Sequence, residues 1–377
     1  MIPFCKTYLS GNEAKYLAET LSEGRISGNG KFSKSCHNFF ELKYGFKKCL
    51  LTSSGTSALE MAALLLNIGP GDEVIIPSYT FSATANAFIL RGAKIIFADS
   101  SPKNPNINPK SIDKLISKKT KAIVVVHYAG IACDMESIQA ISKKHNIAVV
   151  EDAAHAIDGY YKEKPLGSIG SLAAFSFHQT KNIVAGECGL LVINDPDLMS
   201  RAEILWENGT NRAAFYRGEV DKYTWVDMGS SFLASELLAA FLWAQLEKLE
   251  VIQTRRKEIW NMYASQLAIL DNTNGISTPY VPKYAGTNGH LFYLLCNDEN
   301  QRDQLISYLR AEGIYAVFHY NSLHLSPYFS GKHEGDDLPN ADRYTQTLVR
   351  LPLFFELSDE QILYICNRVK AFFITTS

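Results

Sequence analysis

The sequence lacks the features that mark several common classes of protein. It holds seven cysteines, an odd number, and no two of them are spaced as Cys-x-x-Cys. This pattern disfavours both a disulfide framework and a zinc site, and it is typical of reduced thiols. Lysine and arginine number 37 against 39 aspartates and glutamates, for a net charge of −2. With no excess of basic residues, the sequence does not indicate binding to nucleic acid or to an anionic membrane.

The sequence also shows no pattern typical of a targeting segment or of a membrane-spanning segment. The first residues, MIPFCKTYLSGNEAKYL, have no basic stretch followed by an apolar run, so they do not resemble a signal peptide. No apolar run is long enough to span a bilayer. We therefore expect a cytoplasmic protein, and its 377 residues suffice for two domains with large cores.

A glycine-rich dinucleotide fingerprint is a third feature that the sequence does not have. Residues 24–30, GRISGNG, do not match G-x-G-x-x-G and follow no predicted strand. Their pattern disfavours a nicotinamide-dependent oxidoreductase. Because glycine lets a backbone approach a ligand closely, Ser27, Gly28 and Asn29 remain candidates for a loop that lines a site.

The sequence does contain a regular alternation of short β-branched runs with helical patterns. Strands are predicted over 48–52, 74–77, 94–99, 121–128, 147–151 and 173–178, and helices over 58–66, 83–90, 111–117 and 135–144 lie between them. This alternation predicts an α/β fold with a mostly parallel, doubly wound sheet. Ligands of such sheets bind beyond the carboxyl ends of the strands.

The pattern changes in the last third of the chain. A polar, arginine-rich loop over 209–223 is followed by apolar helices over 235–249 and 251–267. Beyond them, strands predicted over 291–296 and 315–320 and helices over 301–312 and 358–372 indicate a smaller α+β domain. We therefore predict a large domain over 1–249 and a small C-terminal domain over 250–377.

The stretch 173–191, AAFSFHQTKNIVAGECGLL, contains the lysine on which the functional prediction depends. Lys181 follows a predicted strand and lies among apolar residues and glycines, where burial disfavours the ammonium form. A neutral lysine amine is the nucleophile that forms a Schiff base. Asp152 follows an earlier apolar strand, so both side chains are expected at one edge of the sheet. Pyridoxal 5'-phosphate (PLP) requires this pair, a lysine for its aldehyde and a carboxylate for its pyridinium nitrogen.

A second motif, SSGTS over 53–57, joins a predicted strand to a predicted helix. Backbone N–H groups and the helix dipole bind anions at such a junction, and the hydroxyls of Ser54 and Thr56 add donors. Taken alone, this motif is better explained as a capped helix. Taken alone, Lys181 and Asp152 are better explained as a solvated lysine and a helix-capping aspartate. The combination of all three favours a PLP site.

Three more residues lie near predicted strand ends. Phe81 and Ser176 occupy such positions directly, and His155 follows Asp152 by three residues. The ring of Phe81 could stack on a planar cofactor, although most aromatic residues pack in cores. No set of histidines, cysteines and carboxylates has the spacing of a metal site, so we predict no metal.

In these motifs the chain resembles the sugar-nucleotide aminotransferases of the DegT/StrS type, which are fold-type-I PLP enzymes. The likeness runs nearly end to end and includes SSGTSALEMA, GDEVIIPSYTFSATANA, EDAAHAIDGYY, FSFHQTKN, GECG, HYNSLHLSPYF and RLPLFFELSDEQ. The resemblance implies these roles: Lys181 holds the aldehyde and later shuttles a proton, Asp152 holds the pyridinium, Gly55, Thr56 and Ser176 hold the phosphate, Phe81 stacks on the ring, and His155 lies beside it. It also implies a homodimer with the active site shared between subunits.

One stretch departs from the pattern of that family. Many members carry G-Y-N-Y-R-M, whose asparagine reaches the neighbouring subunit's cofactor phosphate, whereas residues 229–234 read GSSFLA here. Ser231 replaces the asparagine, so its hydroxyl is the candidate for that contact. The variant stretch is similar to one branch of the family, which serves surface-antigen biosynthesis. The resemblance implies transfer of an amino group from L-glutamate to the C4 ketone of dTDP-4-dehydro-6-deoxy-D-glucose.

Other functions remain open. A different nucleotide-linked keto sugar could be the substrate, and the sugar-nucleotide contacts considered are Arg212, Arg217, His319 and Tyr320 with the loop of Ser27, Gly28 and Asn29. A sugar dehydratase of the same fold is disfavoured because those relatives replace the lysine by histidine, and this chain keeps Lys181. A non-catalytic PLP-binding sensor is disfavoured by the intact pair of Lys181 and Asp152.

Overall fold

The structure is a computed structural model that describes residues 1–271 and 276–375. Its helices are α1 (Glu13–Glu23), α2 (Lys31–Tyr44), α3 (Gly55–Leu65), α4 (Ala83–Ile89), α5 (Pro109–Leu115), α6 (Met135–His145), α7 (Met199–Trp206), α8 (Arg212–Tyr216), α9 (Glu236–Leu246), α10 (Leu249–Leu267), α11 (Glu299–Ala311), α12 (Pro339–Thr347) and α13 (Asp359–Thr375). Its strands are β1 (Cys49–Thr52), β2 (Glu73–Pro77), β3 (Lys94–Ala98), β4 (Thr120–Val126), β5 (Ala148–Asp152), β6 (Tyr160–Tyr161), β7 (Lys164–Pro165), β8 (Leu172–Ser176), β9 (Gly189–Ile193), β10 (Phe292–Leu295) and β11 (Leu348–Leu351).

A seven-stranded sheet in the order β1-β9-β8-β5-β4-β2-β3 forms the centre of the fold. Strand β9 is antiparallel to both of its neighbours, and the remaining pairs are parallel. Six strands therefore run in one direction, and their carboxyl ends share one edge of the sheet. The prediction of a mostly parallel, doubly wound sheet is confirmed.

Helices cover both faces of this sheet, which explains why its strands are almost continuously apolar. Successive side chains of a strand point to opposite faces, so Ile123 and Val125 belong to one core while Ala122 and Val124 belong to the other. Helices α2, α6 and α9 contribute to the first core. Helices α3 and α4 contribute to the second.

A separate core lies in the C-terminal part of the chain. Residues of α10, α11 and α13 pack there around the antiparallel pair β10–β11. The boundary proposed at 249/250 stays a prediction. Among the described residues, no helix is both long enough and apolar enough to pass through a membrane.

The predicted strand over 315–320 is wrong. The segment forms single bridges next to Ile2 and at Val317, and the partner of β10 is β11, which the sequence pattern did not reveal. The physical reason is that two tyrosines, which follow β2 and β4 in the large domain, hydrogen-bond to the backbone of this segment. The hydroxyls of Tyr79 and Tyr128 donate to the carbonyl of His319 at 2.6 and 2.8 Å. The loop predicted over 209–223 is also corrected, since it contains the short helix α8.

Candidate active site

The sheet edge formed by the carboxyl ends of the parallel strands gathers the residues singled out from the sequence. Asp152 is the last residue of β5, and Ser176 is the last residue of the neighbouring β8. Lys181 lies in the turn between β8 and β9, where its backbone N–H donates to the carbonyl of His178 at 2.9 Å. The two strands pair in register, with Asp152 opposite Ala174. The sheet therefore delivers the acid and the amine to one edge.

Asp152 is a buried carboxylate that is hydrogen-bonded but has no cationic partner. Its two oxygens accept from the Thr84 hydroxyl at 2.7 Å and from the Ala154 N–H at 3.2 Å. Among the described residues, no basic side chain lies within ion-pair distance of it. Burial raises its pKa above the ordinary value, and the two hydrogen bonds and the charge of Lys181 act in the opposite direction. Such a carboxylate suits a ligand that brings its own positive N–H group, as a pyridinium does.

Lys181 is half-buried, and its amine is activated by its surroundings. Burial is the largest cause that lowers its pKa, to about 8, and the charge of Arg350 lowers it further. The charge of Asp152 acts against both. A lysine of this kind presents far more neutral amine near pH 7 than an exposed lysine does, as nucleophilic attack on an aldehyde requires.

The rate at which the coenzyme-free protein combines with PLP is expected to follow the neutral fraction of Lys181. Because its pKa is about 8, the rate should rise about tenfold per pH unit below that value and level off above it. The growing visible absorbance measures the rate, and free Nα-acetyl-lysine in a parallel titration corrects for ionisation of PLP itself. A rate that keeps rising up to the pH where an ordinary lysine titrates would contradict this environment for the amine.

The first turn of α3 and the end of β8 form a close cradle. A Cβ atom on Gly55 would lie 2.9 Å from the Cβ of Ser176, so glycine is required for this approach. Ser54 is the N-cap of α3, and its side chain accepts from the Ser57 N–H at 3.1 Å. The N–H groups of Gly55 and Thr56 at the helix N-terminus and the Ser176 hydroxyl suit a phosphate group. The Ser54 hydroxyl is already engaged in capping.

The ring of Phe81 and the imidazole of His155 follow the carboxyl ends of β2 and β5. The ring of Phe81 is 58 % exposed, and its centroid is 5.9 Å from that of Tyr320. His155 is buried and stacks on His290 with centroids 4.1 Å apart, and its Nδ1 has no hydrogen-bond partner within the described structure. Burial lowers the pKa of His155 well below its ordinary value, so the ring is neutral. An unpartnered nitrogen at this depth fits a polar substituent of a bound ring.

The residues present therefore fit PLP. The amine for its aldehyde, the carboxylate for its ring nitrogen and the cradle for its phosphate occupy one edge of the sheet. Sequence reasoning missed three contributors to this edge, namely Thr84, His290 and Arg350. Thr84 and Arg350 lie inside motifs quoted for the family resemblance, but nothing in a single sequence distinguishes them from their neighbours.

The candidates for binding a sugar nucleotide fall into two groups. His319 and Tyr320 interact electrostatically with the acid and the amine of the sheet edge, since the charge of Lys181 lowers the pKa of His319 and the charge of Asp152 contributes to raising the pKa of Tyr320. The other group lines a cavity of about 780 Å³ between the N-terminal loop, β1, α7 and α8, and consists of Ser27, Gly28, Asn29, Arg212 and Arg217. None of the residues predicted to hold the cofactor lines that cavity.

Local contacts distinguish the members of the second group. Arg217 is already paired with Glu203 at 2.9 Å and with Glu219 at 2.7 Å, so its charge is compensated within the chain. Arg212 lies over the ring of Tyr216, with its guanidinium carbon 5.4 Å from the centroid. Ser231 is exposed and bridges to Glu207.

Within residues 1–271 and 276–375, no three His, Cys, Asp or Glu side chains are grouped as a metal site would require.

A sheet with one antiparallel strand, a lysine after β8 and an acid at the end of β5 define the class of fold-type-I PLP-dependent transferases. The sequence profile of the DegT/DnrJ/EryC1/StrS aminotransferase family matches residues 8–370. The chain belongs to this family. It is therefore an aminotransferase by descent, and the predicted family and fold class are both confirmed.

Individual relatives match over their whole length. The spore coat polysaccharide biosynthesis protein SpsC of Bacillus subtilis is 33% identical over 378 residues, which cover 98% of this chain and 96% of SpsC. The sugar aminotransferase Spr1654 of Streptococcus pneumoniae, in its pyridoxamine phosphate form, has a TM-score of 0.91 at 27% identity and covers 99% of both chains. PseC of Helicobacter pylori, an aminotransferase involved in the biosynthesis of pseudoaminic acid, has a TM-score of 0.90 at 26% identity, again over 99% of both chains.

Spr1654 is also known in a PLP form, which has a TM-score of 0.89 against this chain. The PLP and pyridoxamine phosphate forms of this family member confirm the coenzyme that the sequence predicts.

Proposed function

We propose that this protein is a dTDP-4-amino-4,6-dideoxygalactose transaminase. It moves an amino group from L-glutamate to the C4 ketone of dTDP-4-dehydro-6-deoxy-D-glucose and forms dTDP-4-amino-4,6-dideoxy-D-galactose. The observation that carries the transaminase assignment is the placement of Lys181 and Asp152 at one sheet edge, next to an anion-binding helix N-terminus. The choice of sugar rests on the variant stretch GSSFLA and on its flanking sequence.

The chain's own residues account for the parts of the reaction. When bound, PLP supplies an electron-withdrawing ring that stabilises negative charge at the carbon bearing the amine. Asp152, fixed by the Thr84 hydroxyl and the Ala154 N–H, would keep the ring nitrogen protonated. Lys181 holds the coenzyme through Nζ. The same Nζ would serve as the proton carrier, taking a proton from the donor's Cα in the first half of the cycle and delivering one to C4 of the sugar in the second.

We also propose that two copies of the chain share the active site. The segment between Tyr216 and Met228 exposes several large apolar side chains, and Trp225 is 77 % exposed. Apolar side chains grouped in this way are typical of a protein interface. Ser231 follows directly and is exposed, so in a dimer its hydroxyl is the group that replaces the family's asparagine at the partner's cofactor phosphate.

A related sugar is the second candidate for the substrate. PseC is involved in the biosynthesis of a different amino sugar, pseudoaminic acid, although its fold matches that of this chain closely. Fold alone therefore does not select the carbon that is aminated, the stereochemistry or the nucleotide. A non-catalytic sensor is disfavoured because Lys181 and Asp152 are both in place.

Incubation of the PLP-loaded protein with dTDP-4-dehydro-6-deoxy-D-glucose and L-glutamate tests the proposal. We expect release of 2-oxoglutarate and a product whose C4 amine is axial, as NMR coupling constants will show. The matched control is the UDP form of the same keto sugar, which we expect to react more slowly. An equatorial amine, amination at another carbon or faster turnover of the UDP sugar would assign a different member of the family.

A further inference from the structure

Arg350 is a buried cation for which the described part of the chain provides no counter-ion. It lies on β11 opposite Tyr293 and is 6 % exposed. Its Nη1 lies 2.9 Å from Nδ1 of His319, its guanidinium carbon is 4.9 Å from the ring centroid of Phe4, and its Nε has no hydrogen-bond partner. No carboxylate of residues 1–271 or 276–375 lies within ion-pair distance of it.

The two other buried arginines, Arg256 and Arg302, have acceptors within the chain for their guanidinium groups. Arg256 donates to three backbone carbonyls, at 2.8 to 3.4 Å. Arg302 pairs with Glu299 at 3.0 Å and with Asp303 at 2.8 Å. The donors of Arg256 are taken by carbonyls and those of Arg302 by carboxylates, whereas the Nε of buried Arg350 has no acceptor in the described structure. Because a buried donor is costly unless it is hydrogen-bonded, Arg350 is the one of the three that calls for an external acceptor, and an anion suits its charge.

The imidazole of His319, which contacts Arg350, does not supply that anion. Burial, followed by the charge of Arg350, lowers the pKa of His319 to about 4. The imidazole of His319 is therefore neutral, and its Nδ1 accepts a hydrogen bond from Nη1. This contact orients the guanidinium and leaves its charge uncompensated.

Arg350 is connected by contacts to the side of the sheet edge that carries the reacting groups. The ring centroid of His155 lies 5.8 Å from that of Tyr128, whose hydroxyl donates to the carbonyl of His319, and the His319 imidazole in turn contacts Arg350. The charge of Arg350 lowers the pKa of both Lys181 and His155, which lie at the sheet edge. The cradle is formed instead by Gly55, Thr56 and Ser176, and α3 supplies its N–H groups. A small planar anion next to the amine is thus the chemistry that this guanidinium fits, because its fork of donors matches a carboxylate.

We propose that Arg350 binds the α-carboxylate of the amino acid that donates the amine. The donor is therefore an α-amino acid and not a simple amine. The inference rests on the proposed transaminase function and adds a residue for donor specificity from the C-terminal strand pair. The oxo acid released in the first half of the cycle carries the same carboxylate and is bound by the same guanidinium.

The test compares the two half-reactions in Arg350→Gln. We expect the reaction of the PLP form with L-glutamate, followed as loss of visible absorbance, to slow about 100-fold at subsaturating glutamate, as when one partner of a buried charge pair is removed. We expect the reaction of the pyridoxamine form with the keto sugar to stay within about threefold, because the sugar has no carboxylate. Arg368→Gln, an arginine of the same domain paired on the surface with Glu312, is the matched control and should leave both rates unchanged.

A binding measurement gives a readout apart from turnover. Glutarate, which has no amine and cannot react, should bind the PLP form about 100-fold more weakly in Arg350→Gln by calorimetry. Wild-type protein should also prefer L-glutamate to 4-aminobutyrate, which lacks the α-carboxylate, and the variant should lose that preference. Added guanidinium ion should restore part of the glutamate rate in Arg350→Ala.

The outcomes separate this inference from the proposed function. Unchanged glutarate affinity, or equal losses in both half-reactions, overturns the role of Arg350. A loss confined to the keto-sugar half-reaction assigns Arg350 to the nucleotide phosphates and also overturns it. If the wild-type protein reacts with no amino acid, the transaminase proposal fails, while glutarate binding still reports on Arg350. If Arg350→Gln does not fold, Arg350→Lys, which keeps the charge and loses the fork, should show a smaller loss of the same kind.

Discussion

Replacement of Lys181 by alanine is expected to abolish turnover, with a loss of at least about 10⁴-fold. The physical reason is that one amine has two tasks. It holds the coenzyme, and it moves a proton at the donor's Cα and at C4 of the sugar. Burial and the charge of Arg350 lower its pKa to about 8, which suits both a nucleophile and a proton carrier near neutral pH.

The measurement is the steady-state release of 2-oxoglutarate from L-glutamate in the presence of the keto sugar. In parallel, the absorbance spectrum of Lys181→Ala should show coenzyme retained in its pyridoxamine form or joined to substrate. Lys162→Ala is the matched control, because Lys162 is exposed and pairs with Glu136 at 2.8 Å on the surface. Its rate should equal that of the wild type within about twofold. Turnover close to wild type in Lys181→Ala would remove the basis of the assignment.

Replacement of Asp152 by asparagine is expected to lower kcat/KM by about 10² to 10⁴-fold. Removal of one partner of a buried charge pair costs about 3–5 kcal/mol, and each 1.36 kcal/mol in the barrier is about tenfold in rate. Without the carboxylate, the ring nitrogen is no longer held in its protonated form, so the ring withdraws electrons less effectively. Coenzyme affinity should fall as well, because the buried carboxylate has no other cationic partner within the described residues.

Two variants make this prediction specific. Thr84→Val removes the hydroxyl that donates to Asp152 at 2.7 Å and keeps the carboxylate, so its loss should be about tenfold. Asp158→Asn removes a carboxylate that pairs with Lys257 at 2.9 Å away from the strand end, and it should leave kcat/KM nearly unchanged. Equilibrium dialysis with PLP measures the affinity of each variant. A change of less than about threefold in Asp152→Asn, with PLP bound normally, would show that this carboxylate does not partner the ring.

Much of the fold could be predicted because its signals are local. Short β-branched runs separated by helical patterns predicted the parallel sheet, and the acid, the lysine and the SSGTS turn could be placed at strand ends from position alone. In a parallel sheet those ends necessarily meet at one edge. Their positions in the sequence therefore predict that Lys181, Asp152 and the start of α3 belong to one site.

The errors arose where a segment is held by side chains distant in sequence. Residues 315–320 have the composition of a strand, yet Tyr79 and Tyr128 hold the carbonyl of His319, and β11 pairs with β10 instead. The candidates for binding the sugar nucleotide also looked alike in sequence. In the structure, the charge of Lys181 lowers the pKa of His319, whereas Arg212 lines a cavity to which none of the predicted cofactor residues contributes.

The sequence by itself determined the class of fold and the coenzyme and predicted the amine and the acid that would serve it, because chain direction and residue type suffice to place groups at the ends of parallel strands. Only the tertiary structure decided which charges are compensated. Arg217 is neutralised by two glutamates, whereas Arg350 is buried against His319 with no carboxylate partner among the described residues. That difference depends on burial and on partners far apart in the chain, and these exist only after the chain has folded.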